Sequence, residues 1–129
     1  MAKESNPVRK WRPASAAWVT LFREVTAGLG EPRQMFGYPC AFVKGNMFAA
    51  LHEAGLILRL DAPAREEFLR LRGASRFEPM PGRFMREYVV APERMVKQPA
   101  EVAAWVQKAF EYGASLPRKA GRAKARQSR

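Results

Sequence analysis

The chain has 129 residues, 47% of them hydrophobic, and carries a formal net charge of +11 at pH 7. This length suits one domain with a buried core, and the composition excludes a wholly disordered or fibrous protein. With no apolar run near the roughly 20 residues that cross a bilayer, no signal-peptide pattern and only one cysteine, the sequence predicts a soluble, disulfide-free cytoplasmic protein.

The first predicted element is a helix that runs from about Ser15 to Leu29. Trp18, Phe22 and Val25 recur at helical spacing and form one apolar stripe. Ser15 can cap the free N–H groups of the first turn. Gly28 and Gly30, with Pro32 soon after, end the helix.

A β-rich stretch comes next, with apolar runs on both sides of the Gly45-Asn46 pair and a third run over residues 56–60. A Gly-Asn pair supplies the positive φ that a short hairpin turn needs. The third run alternates between two faces, as a strand does. These features predict a three-stranded antiparallel meander with a turn at Gly45-Asn46.

Two further helices and one more strand complete the predicted domain. Asp61 caps a middle helix that Gly73 stops, residues 85–90 form a strand, and the last helix runs from Pro99 to about Leu116. The sequence therefore predicts an α+β domain over residues 14–116. We expect its N-terminal, middle and C-terminal helices to pack on an antiparallel sheet that contains the meander and at least one further strand.

The excess charge lies at the two ends of the chain. Residues 1–13 form a basic N-terminal arm, and residues 117–129 form a tail with six basic and no acidic residues, whereas the part between is close to neutral. The tail has no large apolar residue and is expected to be disordered on its own. Flexible cationic tails bind nucleic-acid backbones without reading bases, so we predict this role for Arg118, Lys119, Arg122, Lys124, Arg126 and Arg129.

An ordered set of short segments resembles a known family. The segments are RQMFG at 33–37, VKGNMFA at 43–49, LILRL at 56–60, FEPMPG at 77–82 and MREYVVAP at 85–92. Together they are similar to the N-terminal domain of the TfoX/Sxy competence regulators, here as a stand-alone copy without the C-terminal domain. The resemblance implies a non-enzymatic regulatory or adaptor module, linked to transcription and DNA uptake, with a partner such as the cyclic-AMP receptor protein. It supplies no catalytic residues.

The only cysteine and the only histidine, Cys40 and His52, lie on the two predicted hairpin strands. One register pairs Cys40 with Leu51 and puts His52 on the opposite face; a register shifted by one residue pairs Cys40 with Ala50 and puts both on one face. A nucleophilic thiol needs a pKa lowered by a nearby cation or a helix N-terminus, and a mid-strand position provides no helix dipole, so we expect no catalytic residue. The alternative is a small-ligand-binding protein or an enzyme with a sheet-face pocket near Cys40, His52 and Arg86.

A polar cluster at the loop before the last strand is the other candidate site. Arginines next to aromatic rings can hold phosphate or a protein partner, which makes Arg59, Arg83, Arg86 and Tyr88 candidate contacts. The same arginines would also protect a sheet edge against aggregation. The sequence contains no metal-ligand spacing and no phosphate-binding glycine loop, so we expect no metal and no cofactor. A homodimer is compatible with a small antiparallel sheet.

Overall fold

A computed structural model of the chain describes residues 12–119, and in this part three α-helices pack on a six-stranded sheet. The helices are α1 (Ala16–Thr26), α2 (Ala62–Leu69) and α3 (Pro99–Ser115). The strands are β1 (Glu31–Met35), β2 (Tyr38–Val43), β3 (Asn46–His52), β4 (Gly55–Arg59), β5 (Ser75–Arg76) and β6 (Tyr88–Val90). A 3-10 helix spans Glu93–Lys97.

The sheet is antiparallel throughout, with the strand order β1-β2-β3-β4-β6-β5. The predicted α+β class and the meander are therefore confirmed, and the meander gains β1 as a fourth consecutive strand. One face of the sheet carries the helices and the larger hydrophobic core. The other face, which we call the open face, carries a smaller apolar cluster.

The first two helices begin where the sequence predicts because each N-cap is a local hydrogen bond, whereas α1 and α2 end earlier than predicted, at Thr26 and Leu69. The Ser15 hydroxyl accepts from the backbone N–H of Trp18 at 3.2 Å, and the Asp61 carboxylate accepts from Ala64 N–H at 3.0 Å. The last helix, α3, starts at Pro99, which fits a first turn. Trp105 of α3 meets the Phe68 ring of α2 edge to face, with 4.9 Å between the ring centroids. This contact joins two helices in the core.

The predicted turn at Gly45-Asn46 is wrong by one residue. Val43 pairs with Asn46, so the turn residues are Lys44 and Gly45, with φ of 53° and 77°. Asn46 instead belongs to β3 and is buried, and its side-chain amide donates to the carbonyls of Gly113 and Pro117 at 3.4 and 3.1 Å. These two bonds anchor the end of α3 to the hairpin and hold Asn46 in the strand.

A β-bulge in β3 then sets which residues reach the open face. Phe42 pairs with Met47 but Ala41 pairs with Ala49, so Phe48 has no partner in β2. Phe48 and Ala49 both pack in the core under the helices. After Ala49 the side chains of β3 again alternate between the two faces, shifted by one residue relative to β2. Cys40 therefore pairs with Ala50, which is the second of the two predicted registers.

The two edge strands and the last strand of the chain differ from the sequence prediction. The edge strand β1 is exposed along its whole length, so it has no apolar alternation that could be read as a strand. The other edge strand, β5, has only two residues. The strand predicted over residues 85–90 forms only at Tyr88–Val90, because a turn bond from Tyr88 N–H to Met85 C=O precedes it.

Candidate functional site

The open face contains a largely apolar pocket of about 250 Å³. Its floor is formed by neighbouring residues of β2, β3 and β4, namely Cys40, Ala50 and Ile57. Its rim is formed by Met35 and Phe36 at the end of β1 and by Met85 in the segment before β6. We call these six residues the apolar pocket and the last three its rim. Such a concave apolar site is the usual form of a binding site.

The rim is unusually exposed for large apolar side chains. The exposed fractions are 77% for Phe36, 40% for Met35 and 38% for Met85. Met80, in the same segment as Met85, is 56% exposed. Contiguous exposed apolar surface around a concavity is characteristic of interaction sites. The rim therefore extends the apolar lining of the pocket onto the protein surface.

Phe36 also has an unfavourable backbone conformation. Its φ is 54°, and it precedes Gly37 with φ 82° in the tight turn between β1 and β2. Asn-Gly is the preferred sequence for such a turn, and a bulky residue at positive φ is uncommon. Among residues 12–119, Lys44 is the other non-glycine residue with positive φ. A phenylalanine at this position therefore costs stability.

The structure brings Cys40 and His52 to the same pocket, as one of the two registers predicted. Burial raises the pKa of the Cys40 thiol, and the nearby charge of Arg33 only partly opposes it. The imidazole of His52 packs against Tyr38 and Phe77, with ring centroids 5.3 and 5.2 Å away, and its Nδ1 accepts from Ala54 N–H. A thiol that is protonated at neutral pH is a weak nucleophile, so this geometry favours packing over catalysis.

Arg59 and Tyr88, two of the predicted phosphate contacts, belong to an internal network. Arg59 Nε donates to Glu87 at 2.8 Å, and the Tyr112 hydroxyl donates to the other carboxylate oxygen at 3.0 Å. Burial opposes ionisation of Glu87, but these two hydrogen bonds and the positive charges of Arg59 and Arg65 outweigh it and lower the pKa of Glu87. The Arg59 guanidinium also lies 5.7 Å from the Tyr88 ring centroid. Arg59 is thus already paired with an anion.

Arg83 and Arg86 are both exposed, but neither lines the apolar pocket. The predicted alternative site near Cys40, His52 and Arg86 is therefore wrong about Arg86, which does not line the pocket that contains Cys40 and His52. Met85 turns into the pocket, and the next residue, Arg86, lines a separate cleft against α2.

Two of the six predicted nucleic-acid contacts in the tail lie within the described residues. Lys119 N–H donates to Lys44 C=O at 2.9 Å, so the chain follows the hairpin turn as far as this residue. Arg118 precedes it and is exposed. Arg122, Lys124, Arg126 and Arg129 lie outside the described residues, and their role stays a prediction.

Sequence reasoning missed the rim and the arginines that join Arg86 in its cleft. The Phe36-Gly37 pair was a usable signal for the turn that carries the rim, since it matches the preferred Asn-Gly pair except at its first position. Residues 12–119 contain no group of three or more His, Cys, Asp or Glu side chains arranged to hold a metal ion. Within the same range, every helix is too short or too polar to cross a bilayer.

Comparison with known proteins identifies one family. Residues 22–112 match the family model described as the TfoX N-terminal domain. No curated protein and no solved structure matches the chain. The matched range begins within α1 and ends within α3, so it includes the whole sheet and the apolar pocket.

Proposed function

The chain belongs to the TfoX N-terminal domain family, and from this premise we propose that it is a non-enzymatic regulatory adaptor that binds a protein partner through the apolar pocket. The observation that carries the proposal is the exposed rim of Met35, Phe36 and Met85 around a largely apolar concavity. The occupant is a partner segment that inserts one large apolar side chain. Fully desolvated anchors of this kind dominate the affinity of protein interfaces.

The dimensions of the pocket support this occupant. An apolar cavity of roughly 150 Å³ suffices for benzene, and the pocket here holds about 250 Å³. A leucine, phenylalanine or tryptophan side chain therefore fits without rearrangement of the strands. The regulatory character of the family and its resemblance-based link to the cyclic-AMP receptor protein make that transcription factor the partner we propose.

Phe36→Asn tests the proposal, with Lys44→Asn as its matched control. Both residues precede a glycine at positive φ, so either change restores the preferred Asn-Gly turn and should raise the free energy of unfolding by about 1 kcal/mol. Only Phe36→Asn removes a rim side chain. We expect it to weaken binding of the purified cyclic-AMP receptor protein by about tenfold or more, measured by titration calorimetry, and Lys44→Asn to leave the affinity unchanged.

Unchanged affinity in Phe36→Asn, or no binding by the wild-type chain, would contradict the proposed partner surface. Two other occupants have their own signatures. A second copy of the chain would give a concentration-dependent dimer in sedimentation, which Phe36→Asn would dissociate. The chain's own residues 1–11 would give stronger partner binding once they are deleted. The sedimentation result would replace the proposed partner with a homodimer, and the deletion result would add competition by the N-terminal arm.

We further propose that the basic tail adds weak, sequence-independent affinity for nucleic acid. Its six cations are spaced without aromatic residues, which suits phosphate contacts and not base stacking. Replacement of Arg122, Lys124, Arg126 and Arg129 by glutamine in the full chain removes four cations. The log–log salt dependence of duplex DNA binding should become shallower by about 0.9 for each phosphate that is no longer neutralised, or about 3.6 in all. An identical slope in both proteins would show that these four residues do not bind DNA.

A further inference from the structure

A second concavity, which we call the arginine cleft, lies on the side of the sheet that carries α2. It has a volume of about 460 Å³ and runs between α2, the edge strand β5 and the residues just before β6. Three arginines, one carboxylate and one aromatic residue dominate its lining: Arg65, Arg76, Arg86, Glu66 and Phe84. No residue of the apolar pocket is among them, so the two sites are independent.

The three arginines of the cleft retain charge that other groups do not neutralise at close range. Within residues 12–119, the side-chain ion pairs are Arg33–Glu31 and Arg59–Glu87, and neither includes a cleft arginine. Arg65 is half-buried and donates to Leu60 C=O at 2.7 Å, which fixes its guanidinium while leaving other N–H groups available. Its charge also reaches Glu87, whose carboxylate is held by Arg59 and Tyr112.

Phe84 distinguishes the cleft from a merely protected sheet edge. Arginines such as Arg76 on the edge strand β5 discourage pairing with another sheet. An exposed phenyl ring has the opposite effect, because it favours association, and Phe84 is 55% exposed. Edge protection therefore explains the arginines but not their aromatic neighbour. A phosphate group next to a planar ring explains both, since guanidinium groups bind phosphate and aromatic side chains stack on bases.

We propose that the arginine cleft binds a nucleotide, either free or as one unit of a single-stranded nucleic acid. The base stacks on Phe84, and the phosphate is bound by Arg76 and Arg86 with Arg65 beside them. Glu66 accepts a hydrogen bond from a sugar hydroxyl or from an N–H group of the base. This carboxylate would repel a bare anion, so the lining suits a nucleotide better than inorganic phosphate.

The position of the cleft suits a single-stranded nucleic acid that continues from the cleft toward the basic tail. The ladder pairs Arg59 with Tyr88, so Arg86 lies near the end of the sheet where β4 finishes and β6 starts. Lys44, in the turn that precedes β3, lies at the same end because β3 and β4 are antiparallel. Lys119 is hydrogen-bonded to Lys44. The cationic tail therefore leaves the domain at the end that carries the cleft.

The test measures fluorescence polarisation of labelled single-stranded hexathymidylate with the full chain, with thymidine monophosphate and inorganic phosphate as competitors. Arg76→Gln/Arg86→Gln should lower the affinity by about tenfold or more, and Phe84→Ala by about fivefold or more. The matched control is Arg23→Gln/Lys97→Gln, which removes the same charge from exposed residues outside the cleft. We expect less than a twofold effect from it.

The outcomes separate the sources of the ligand and the competing explanations. If thymidine monophosphate competes at concentrations where inorganic phosphate has no effect, the ligand is a free nucleotide. If hexathymidylate binds and thymidine monophosphate does not compete, the ligand is a single-stranded nucleic acid. An equal loss of affinity in the cleft and control variants would show general charge attraction, including that of the tail, and would overturn the proposal. Unchanged affinity in Phe84→Ala would do the same. The two proposals are tested separately. Phe36 lies outside the arginine cleft, so the binding results for Phe36→Asn and the cyclic-AMP receptor protein do not affect the hexathymidylate results.

Discussion

Replacing Ala50 with leucine is expected to lower the affinity for the protein partner by about thirtyfold or more while preserving the fold. Ala50 is at the centre of the pocket floor, with Cys40 and Ile57 as its cross-strand neighbours. The three added carbon atoms enter the space of about 250 Å³ that the partner's side chain would occupy. The partner's side chain can then enter the pocket only if the leucine moves out of it.

The same substitution should stabilise the free protein, since cavity-filling changes commonly add about 0.5–2 kcal/mol to the free energy of unfolding. Ala49 is the matched control, because it is fully buried in the core on the helix face, away from the pocket. Ala49→Leu should destabilise by about 1–3 kcal/mol through overpacking. Urea denaturation and calorimetric titration with the cyclic-AMP receptor protein measure the two effects. Wild-type affinity in a stable Ala50→Leu protein would refute pocket occupancy by the partner.

Phe68→Ala is expected to cost about 3–5 kcal/mol of unfolding free energy, the largest stability loss among the changes considered. Phe68 is fully buried and is the buried residue of α2. Its ring packs edge to face on Trp105, with 4.9 Å between the ring centroids, whereas Ala64 and Leu69 of α2 are only partly buried against the core. Loss of the ring leaves a cavity and loosens α2 from the sheet.

A functional consequence follows, because α2 supplies Arg65 and Glu66 to the arginine cleft but nothing to the apolar pocket. At a temperature where Phe68→Ala is still folded, hexathymidylate binding should weaken more than partner binding. Phe68→Leu, which keeps most of the buried volume, is the control and should cost less than about 1.5 kcal/mol. A loss of stability below about 1 kcal/mol for Phe68→Ala in urea denaturation would show that α2 is held by other contacts.

Local signals in the sequence were sufficient for the three helices and for the meander, but not for the edge strands β1 and β5. Ser15 and Asp61 act as caps through bonds to residues three positions away, and the apolar stripe of α3 is a property of one segment. The hairpin register, in contrast, is not determined by the residues around the turn. Asn46 is held in β3 by carbonyl groups of residues 67 and 71 positions later, so periodicity around the turn could not select between the two registers.

The candidate sites were predictable only in part for the same reason. The sequence identified Cys40 and His52 as a pair that one register would bring together, and it identified Arg86 as a contact. A strand would also put the neighbours Met85 and Arg86 on opposite faces, but the residues that join each of them come from segments distant in sequence, which the sequence did not show. Arg65 joins Arg86 only through the packing of α2, which depends on Phe68 and Trp105.

The central claim is that the exposed apolar surface of the open face is where a partner protein binds. The most direct measurement is a titration of the ¹⁵N-labelled full chain with the unlabelled cyclic-AMP receptor protein, followed by amide chemical shifts. We expect shifts and broadening concentrated at Met35, Phe36, Ala50 and Met85, with α1 and α3 little affected. Perturbations confined to the helix layer, or no perturbation at saturating partner, would contradict the claim.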